Sequence, residues 1–103
     1  VIEHTVTFRL KQDTDATTEQ KFLEAAGELA SIEGVKEFAI RRQSSPKNSH
    51  QYGITMKFDS QGEYDFYSAH PMHEEFIEKF WLNYVEDFQE ADFEPLTVCS
   101  ESV

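Results

Sequence analysis

Between residues 2 and 10, Ile2, His4, Val6, Phe8 and Leu10 alternate with Glu3, Thr5, Thr7 and Arg9. A period of two marks a half-buried strand, because successive side chains point to opposite faces, and it puts His4 on the apolar face. Residues 11–15 form a polar connection. Thr17 with Gln20 then predicts a capping box, followed by a helical stripe of Phe22, Leu23, Ala26, Leu29 and Ala30 that Gly34 stops. Residues 35–43 predict a second strand, with Phe38 and Ile40 on one face and Glu37, Ala39 and Arg41 on the other. After a loop of turn formers at 44–49, Tyr52, Ile54, Met56 and Phe58 alternate with Gln51, Gly53, Thr55 and Lys57 as a third strand.

Ser60 with Glu63 predicts a second capping box, opening a helix through Tyr64, Phe66, Tyr67 and His70. Pro71 lacks the N–H a helix interior needs but suits a first turn, so one helix ends near His70 and another begins at Pro71. The second carries His73, Phe76, Ile77, Phe80 and Tyr84 at helical spacing. A weak alternation around Phe88 and Phe93, in the tail to Leu96, is read as a fourth strand.

The order β-α-β-β-α-α-β with short links is the split arrangement of an α+β ferredoxin-like sandwich: a four-stranded antiparallel sheet with helices on one face. The first and third strands are central there, so His4 lies mid-sheet beneath the helices. The other sheet face carries Glu3, Thr5, Thr7, Arg9, Glu37, Arg41, Gln51, Thr55 and Lys57. Such a face is either solvated or a polar interface between two copies packed face to face.

With 103 residues the chain reads as one domain, 1–103, with a core at about 2–96. Its thin interior leans on nine Phe. Residues 1–58 balance eight acids with eight bases, whereas residues 59–94 set eleven acids against Lys79 alone. That acidity repels phosphate backbones and anionic lipid, so neither nucleic acid nor membrane is an expected partner. Cys99 is the single cysteine, which leaves no internal disulfide and no redox CxxC pair. No apolar run is long enough to span a bilayer, and a cytoplasmic location is the default expectation. The opening Val1 in place of Met leaves a trimmed start or a cleaved leader open.

Candidate chemistry gathers at Tyr67, His70 and His73, with His4 facing them from the sheet. Each residue also has a plain structural reading. His4 fits a core histidine with one partner, His70 a helix cap, and Tyr67, Tyr64, Trp81 and Tyr84 core packing. His73 points inward along the stripe. At the start of a helix, burial and the positive helix end favour the neutral imidazole, against the pull of Glu74, Glu75 and Glu78. A neutral His73 can accept a proton. The pair His70 and His73 lacks HExxH spacing, and Pro71 breaks the helix that would align them, so no metal is expected. There is no nucleophile elbow and no glycine-rich phosphate cradle.

The opening Ile2-Glu3-His4-Thr5-Val6-Thr7-Phe8, the helix stop at Gly34-Val35, Phe58-Asp59-Ser60 leading into a helix, and Tyr67-x-x-His70-Pro71-x-His73 together resemble the stress-responsive dimeric α/β-barrel (Dabb) family. The resemblance spans about residues 2–96. It implies a protomer whose sheet pairs with a second copy in a dimeric barrel, so the chain itself is the expected partner. Most members have no known activity. One characterised relative, a plant olivetolic acid cyclase, performs an aldol cyclisation of a linear polyketide thioester without metal or cofactor. By that resemblance His73 is the base and Tyr67 a reactive partner, with His4 in support.

The expectation is therefore a cofactor-free lyase or cyclase acting on a polyketide-like or aromatic carbonyl compound. Its apolar ligand would lie against Phe8, Phe22, Phe76, Phe80 and His70. A non-catalytic stress-response or assembly protein with structural histidines is the alternative, and a cofactor-independent monooxygenase a weaker one. The chain departs from the cyclase in a longer stretch from the last helix to Phe93. The carboxylates crowding that segment disfavour an anionic thioester.

Overall fold

The computed structural model of the chain describes residues 1–97. Cys99 lies outside the described residues. The first strand, β1, runs Ile2–Leu10, and its even-numbered residues His4, Val6, Phe8 and Leu10 are buried while the odd-numbered ones are half-exposed. β3 (Tyr52–Phe58) repeats the pattern, burying Tyr52, Ile54, Met56 and Phe58. The two pair antiparallel with His4 opposite Met56 and Phe8 opposite Tyr52, so both apolar rows line one face. β2 (Lys36–Arg42) flanks β3, and β4 (Val85–Phe93) flanks β1, giving the sheet order β2-β3-β1-β4 of a ferredoxin-like fold.

The helix α1 (Ala16–Glu28) covers that face through Phe22 and Ala26. It starts two residues earlier than the sequence suggests. Asp15, not Thr17, is the N-cap, and its carboxylate accepts the Thr18 N–H at 2.7 Å. A carboxylate at this position also meets the positive end of the helix, which favours Asp15 over a threonine hydroxyl. At the other end a 3₁₀ turn, Leu29–Ser31, tightens the winding. It buries Leu29 and Ile32 and swings Ala30 out to solvent, so Ala30 leaves the expected stripe. Gly34, at φ +96°, then turns the chain into β2.

The helix α2 (Gln61–Ala69) is capped by Ser60, whose hydroxyl accepts the Glu63 N–H. His70 ends α2 in extended conformation and caps α3 (Pro71–Phe76), accepting the Met72 N–H on Nδ1 at 3.1 Å. From there the expected uniform helix is interrupted. Ile77–Trp81 is a π-turn, followed by a single α-turn, Leu82–Tyr84. The wider turn resets the helical phase, so Trp81 becomes buried while Phe80 and Tyr84 stay half-exposed. Phe8, Phe22 and Phe58 are fully buried, and Trp81 packs 5.1 Å from Phe8 between ring centroids. Each fully buried large side chain contributes about 1.5–3 kcal/mol.

The fourth strand exists, but Phe88 and Phe93 do not share a face. Phe88 lies opposite Phe8 and meets Trp81 edge-on at 5.4 Å, whereas Phe93 lies opposite Glu3 on the second face. That second face is polar as expected and holds a buried histidine that the chain's pattern does not advertise. His50 joins Thr7 Oγ1 through Nδ1 and Asp87 Oδ2 through Nε2, both at 2.7 Å. Its hydrogen bond holds the Asp87 carboxyl below the usual carboxylate range. Among the described residues no helix is long and apolar enough to cross a membrane.

Candidate functional site

Alternation on β1 delivers His4 to the helix side of the sheet, where the α2–α3 break brings Tyr67 and His73 over it. The Tyr67 ring lies 4.7 Å from that of His73 and 6.4 Å from that of His4, between centroids. A cavity of about 80 Å³ opens among them. Its apolar wall includes Ile54, Met56, Phe76 and Trp81, and its polar wall is His4, Tyr67, His73 and Glu90. A cavity of roughly 150 Å³ is known to take benzene, so this one suits a small fragment or the reactive end of a larger molecule.

The hydrogen bonds fix which atoms are free. His73 Nδ1 lies 3.1 Å from the Ser68 carbonyl oxygen, which can only accept. In the neutral ring Nδ1 therefore carries the proton and Nε2 the lone pair. Burial lowers the His73 pKa, partly countered by that same carbonyl bond, so the neutral form dominates near pH 7. Burial, with the charge of Glu90 adding to it, pushes the Tyr67 phenol above its ordinary range. Tyr67 thus keeps its proton and, lining the cavity, can donate a hydrogen bond there. A proton acceptor and a proton donor share one small space.

His4 is held from behind. Its Nδ1 lies 2.6 Å from Asp92 Oδ1, and the Tyr64 hydroxyl sits 2.8 Å from both His4 Nδ1 and Asp92 Oδ2. Since Asp92 accepts from both, His4 Nδ1 bears a proton toward Asp92, and in the neutral ring the lone pair is on Nε2. Burial and the Asp92 bond raise the Tyr64 pKa, so this phenol also stays protonated. Tyr64 is therefore more than core packing. The register that sets His4 opposite Asp92 and Val6 opposite Glu90 puts both carboxylates on the helix side of the sheet. Sequence reading missed Asp92 and Glu90 because they sit in an acidic run that looks solvated. The parity of Phe88, Glu90 and Asp92, placed beside β1 by ferredoxin-like topology, was the available signal.

The expected ligand-lining residues divide. Phe76 lines the cavity. Phe8 and Phe22 are fully buried beneath it, where they pack against Trp81 and Phe76. Phe80 faces a separate groove of about 130 Å³ with Ala25, Glu28, Met72 and Glu75. That groove has no imidazole or phenol, and the π-turn explains why Phe80 looks into it. His70 is occupied as a cap and meets Phe66 edge-on, away from the cavity. Among the described residues no three His, Cys, Asp or Glu side chains are grouped to hold a metal ion.

The model of the stress-responsive A/B barrel domain, Dabb, matches residues 2–95. A Dabb family protein with a ferredoxin-like fold from Mesorhizobium loti is 41% identical, covering 92% of this chain and 96% of its own, with a TM-score of 0.88. A hydroxynitrile lyase from Passiflora edulis is similar in fold at 16% identity and a TM-score of 0.83, with 96% of each chain covered. A dimeric ferredoxin-like protein of unknown function from Thermobifida fusca is 19% identical, covering 89% of this chain and 88% of its own, with a TM-score of 0.77. None of the curated proteins matches the chain in sequence. With nearly its whole length matched and a well-covered relative above 40% identity, the chain belongs to the stress-responsive A/B barrel (Dabb) family.

Proposed function

We propose that this protein binds a small carbonyl compound, or the carbonyl end of a polyketide-like or aromatic one, and moves a proton on it as a lyase or cyclase would. His73 Nε2 takes a proton from the carbon next to the carbonyl. The C–H electron pair passes into the C–C bond and the carbonyl π electrons onto oxygen, and Tyr67 donates a hydrogen bond to the resulting enolate. His4, oriented by Asp92, presents a second imidazole to the same space. The step needs no cofactor. A positioned base typically contributes about 10²–10⁴-fold and an oxyanion donor about 10²–10³-fold.

The observation that carries this reading is the 4.7 Å approach of the Tyr67 and His73 rings over an open cavity. Histidines serving structure alone would leave rings packed without a void. The competing reading, a non-catalytic protein, draws support from His4 and His70, each of which has a structural partner. The protein would work as a homodimer, as relatives described as dimeric suggest, and the polar sheet face is the surface we assign to the join.

A thermal-shift screen across small carbonyl, aromatic and polyketide-like compounds tests the proposal, followed by turnover of each hit. His73→Ala should abolish turnover and keep the fold, while Tyr67→Phe should slow turnover and spare binding. Hits that bind wild type and His73→Ala alike, with no compound turned over, would leave the structural reading standing.

A further inference from the structure

Glu90 has a place in the cavity that the proton-transfer scheme does not use. It stands opposite Val6 in the β1–β4 pair, which turns its side chain to the helix side beside His4, Tyr67 and His73. It has no ion-pair or hydrogen-bond partner among the described residues. No Lys or Arg lines the cavity; Arg9 pairs with Glu86 and Asp87 and Lys79 with Glu75. Among the described residues the cavity has a carboxylate on its wall and no lysine or arginine beside it.

A ligand entering this space displaces water from one side of that carboxylate. Glu90 is itself solvent-exposed at the cavity wall, so a ligand group that can donate a hydrogen bond, above all a cationic one, replaces the lost water, whereas an anionic group adds repulsion. Burial, and after it the charge of Glu90, raises the Tyr67 phenol, in keeping with Glu90 and Tyr67 sharing one cavity wall. We propose that Glu90 selects ligands by charge, giving the cavity a preference for carbonyl compounds with an ammonium or hydroxyl group near the carbonyl over those with a carboxylate. The substrate class follows: amino- or hydroxy-carbonyl compounds rather than keto acids. This rests on the cavity being the ligand site, as proposed above.

Three ketones of matched size test it: aminoacetone, hydroxyacetone and pyruvate, titrated at pH 6.5 while the ring NMR signals of His73 and Tyr67 are followed. Wild type should bind aminoacetone about tenfold or more tightly than pyruvate, with hydroxyacetone between them. Glu90→Gln should bring the three within about threefold, and Glu90→Lys should reverse the order. Glu78→Gln removes the same charge from an exposed site outside the cavity and should leave the wild-type order intact.

Equal affinities in wild type, an unchanged order in Glu90→Gln, collapse of the order in Glu78→Gln, or no response of the His73 and Tyr67 signals would each overturn the assignment. Proton exchange on the ketones, read in the same samples in D₂O, separates the two proposals. Charge preference without exchange removes the proton-transfer reading and keeps this one. Exchange without charge preference does the opposite.

Discussion

At the scale of single residues, the site depends on keeping one imidazole neutral next to one phenol that stays protonated. Burial is the main cause in both, and it moves the two pKa values in opposite directions because it disfavours the charged form of each. The His73 shift has a consequence for stability. Its folded pKa lies below the unfolded value of about 6.5, so between the two the unfolded chain binds more protons. Stability from this residue is complete above about pH 6.5 and is lost as pH falls toward the folded value. Urea melts of wild type and His73→Gln across pH 5–8 should show wild type losing ground on acidification, with a smaller loss in the variant; parallel curves would contradict this. His4, Tyr67 and His73 were legible because alternation and the Pro71 break fix their directions locally. Asp92, Tyr64 and Glu90 were not, since their roles depend on which strand lies beside β1 and in what register.

At the scale of elements, strands with one buried face read themselves out. β1 and β3 match their expected positions because every second side chain is buried. β4 is almost wholly exposed, so burial imposes no apolar alternation on it, and its two phenylalanines fall on opposite faces. The π-turn after Phe76 was invisible for a related reason: a stripe drawn at 3.6 residues per turn assumes the winding it is meant to detect. Helix starts fared unevenly. Ser60 was found, but at α1 Thr17 drew attention from the stronger acceptor two residues before it. Replacing Asp15 by Ala should lower the unfolding free energy clearly, whereas Thr17→Ala should leave it nearly unchanged. Chemical denaturation of the two variants decides between the caps, and a larger loss in Thr17→Ala would restore the original choice.

At the scale of the whole molecule, the sheet divides two tasks. Its helix side carries the core and the cavity, and its second side carries a charged and hydroxylated surface in which a buried His50 bonds Thr7 and the exposed Asp87. If two copies join through that side, analytical ultracentrifugation at micromolar concentration should show a species of twice the chain mass, and a stable monomer would contradict the dimer. The fold class was readable because element order and burial alternation are set along the chain. His50 escaped notice because the loop before β3 carries it, and only the folded sheet brings it between Thr7 and Asp87.

The central claim is that His73 is a neutral base and Tyr67 its oxyanion donor. The most direct measurement is the rate at which the protein exchanges the α-protons of a bound ketone for deuterium, followed by NMR between pH 5 and 8. Wild type should show a single limb rising with pH, with its midpoint below about 6.5, as His73 loses its proton. The limb should vanish in His73→Ala, and in Tyr67→Phe it should persist at a rate lower by about 10²–10³-fold. An exchange rate in His73→Ala equal to that of wild type, with the same dependence on pH, would contradict the account.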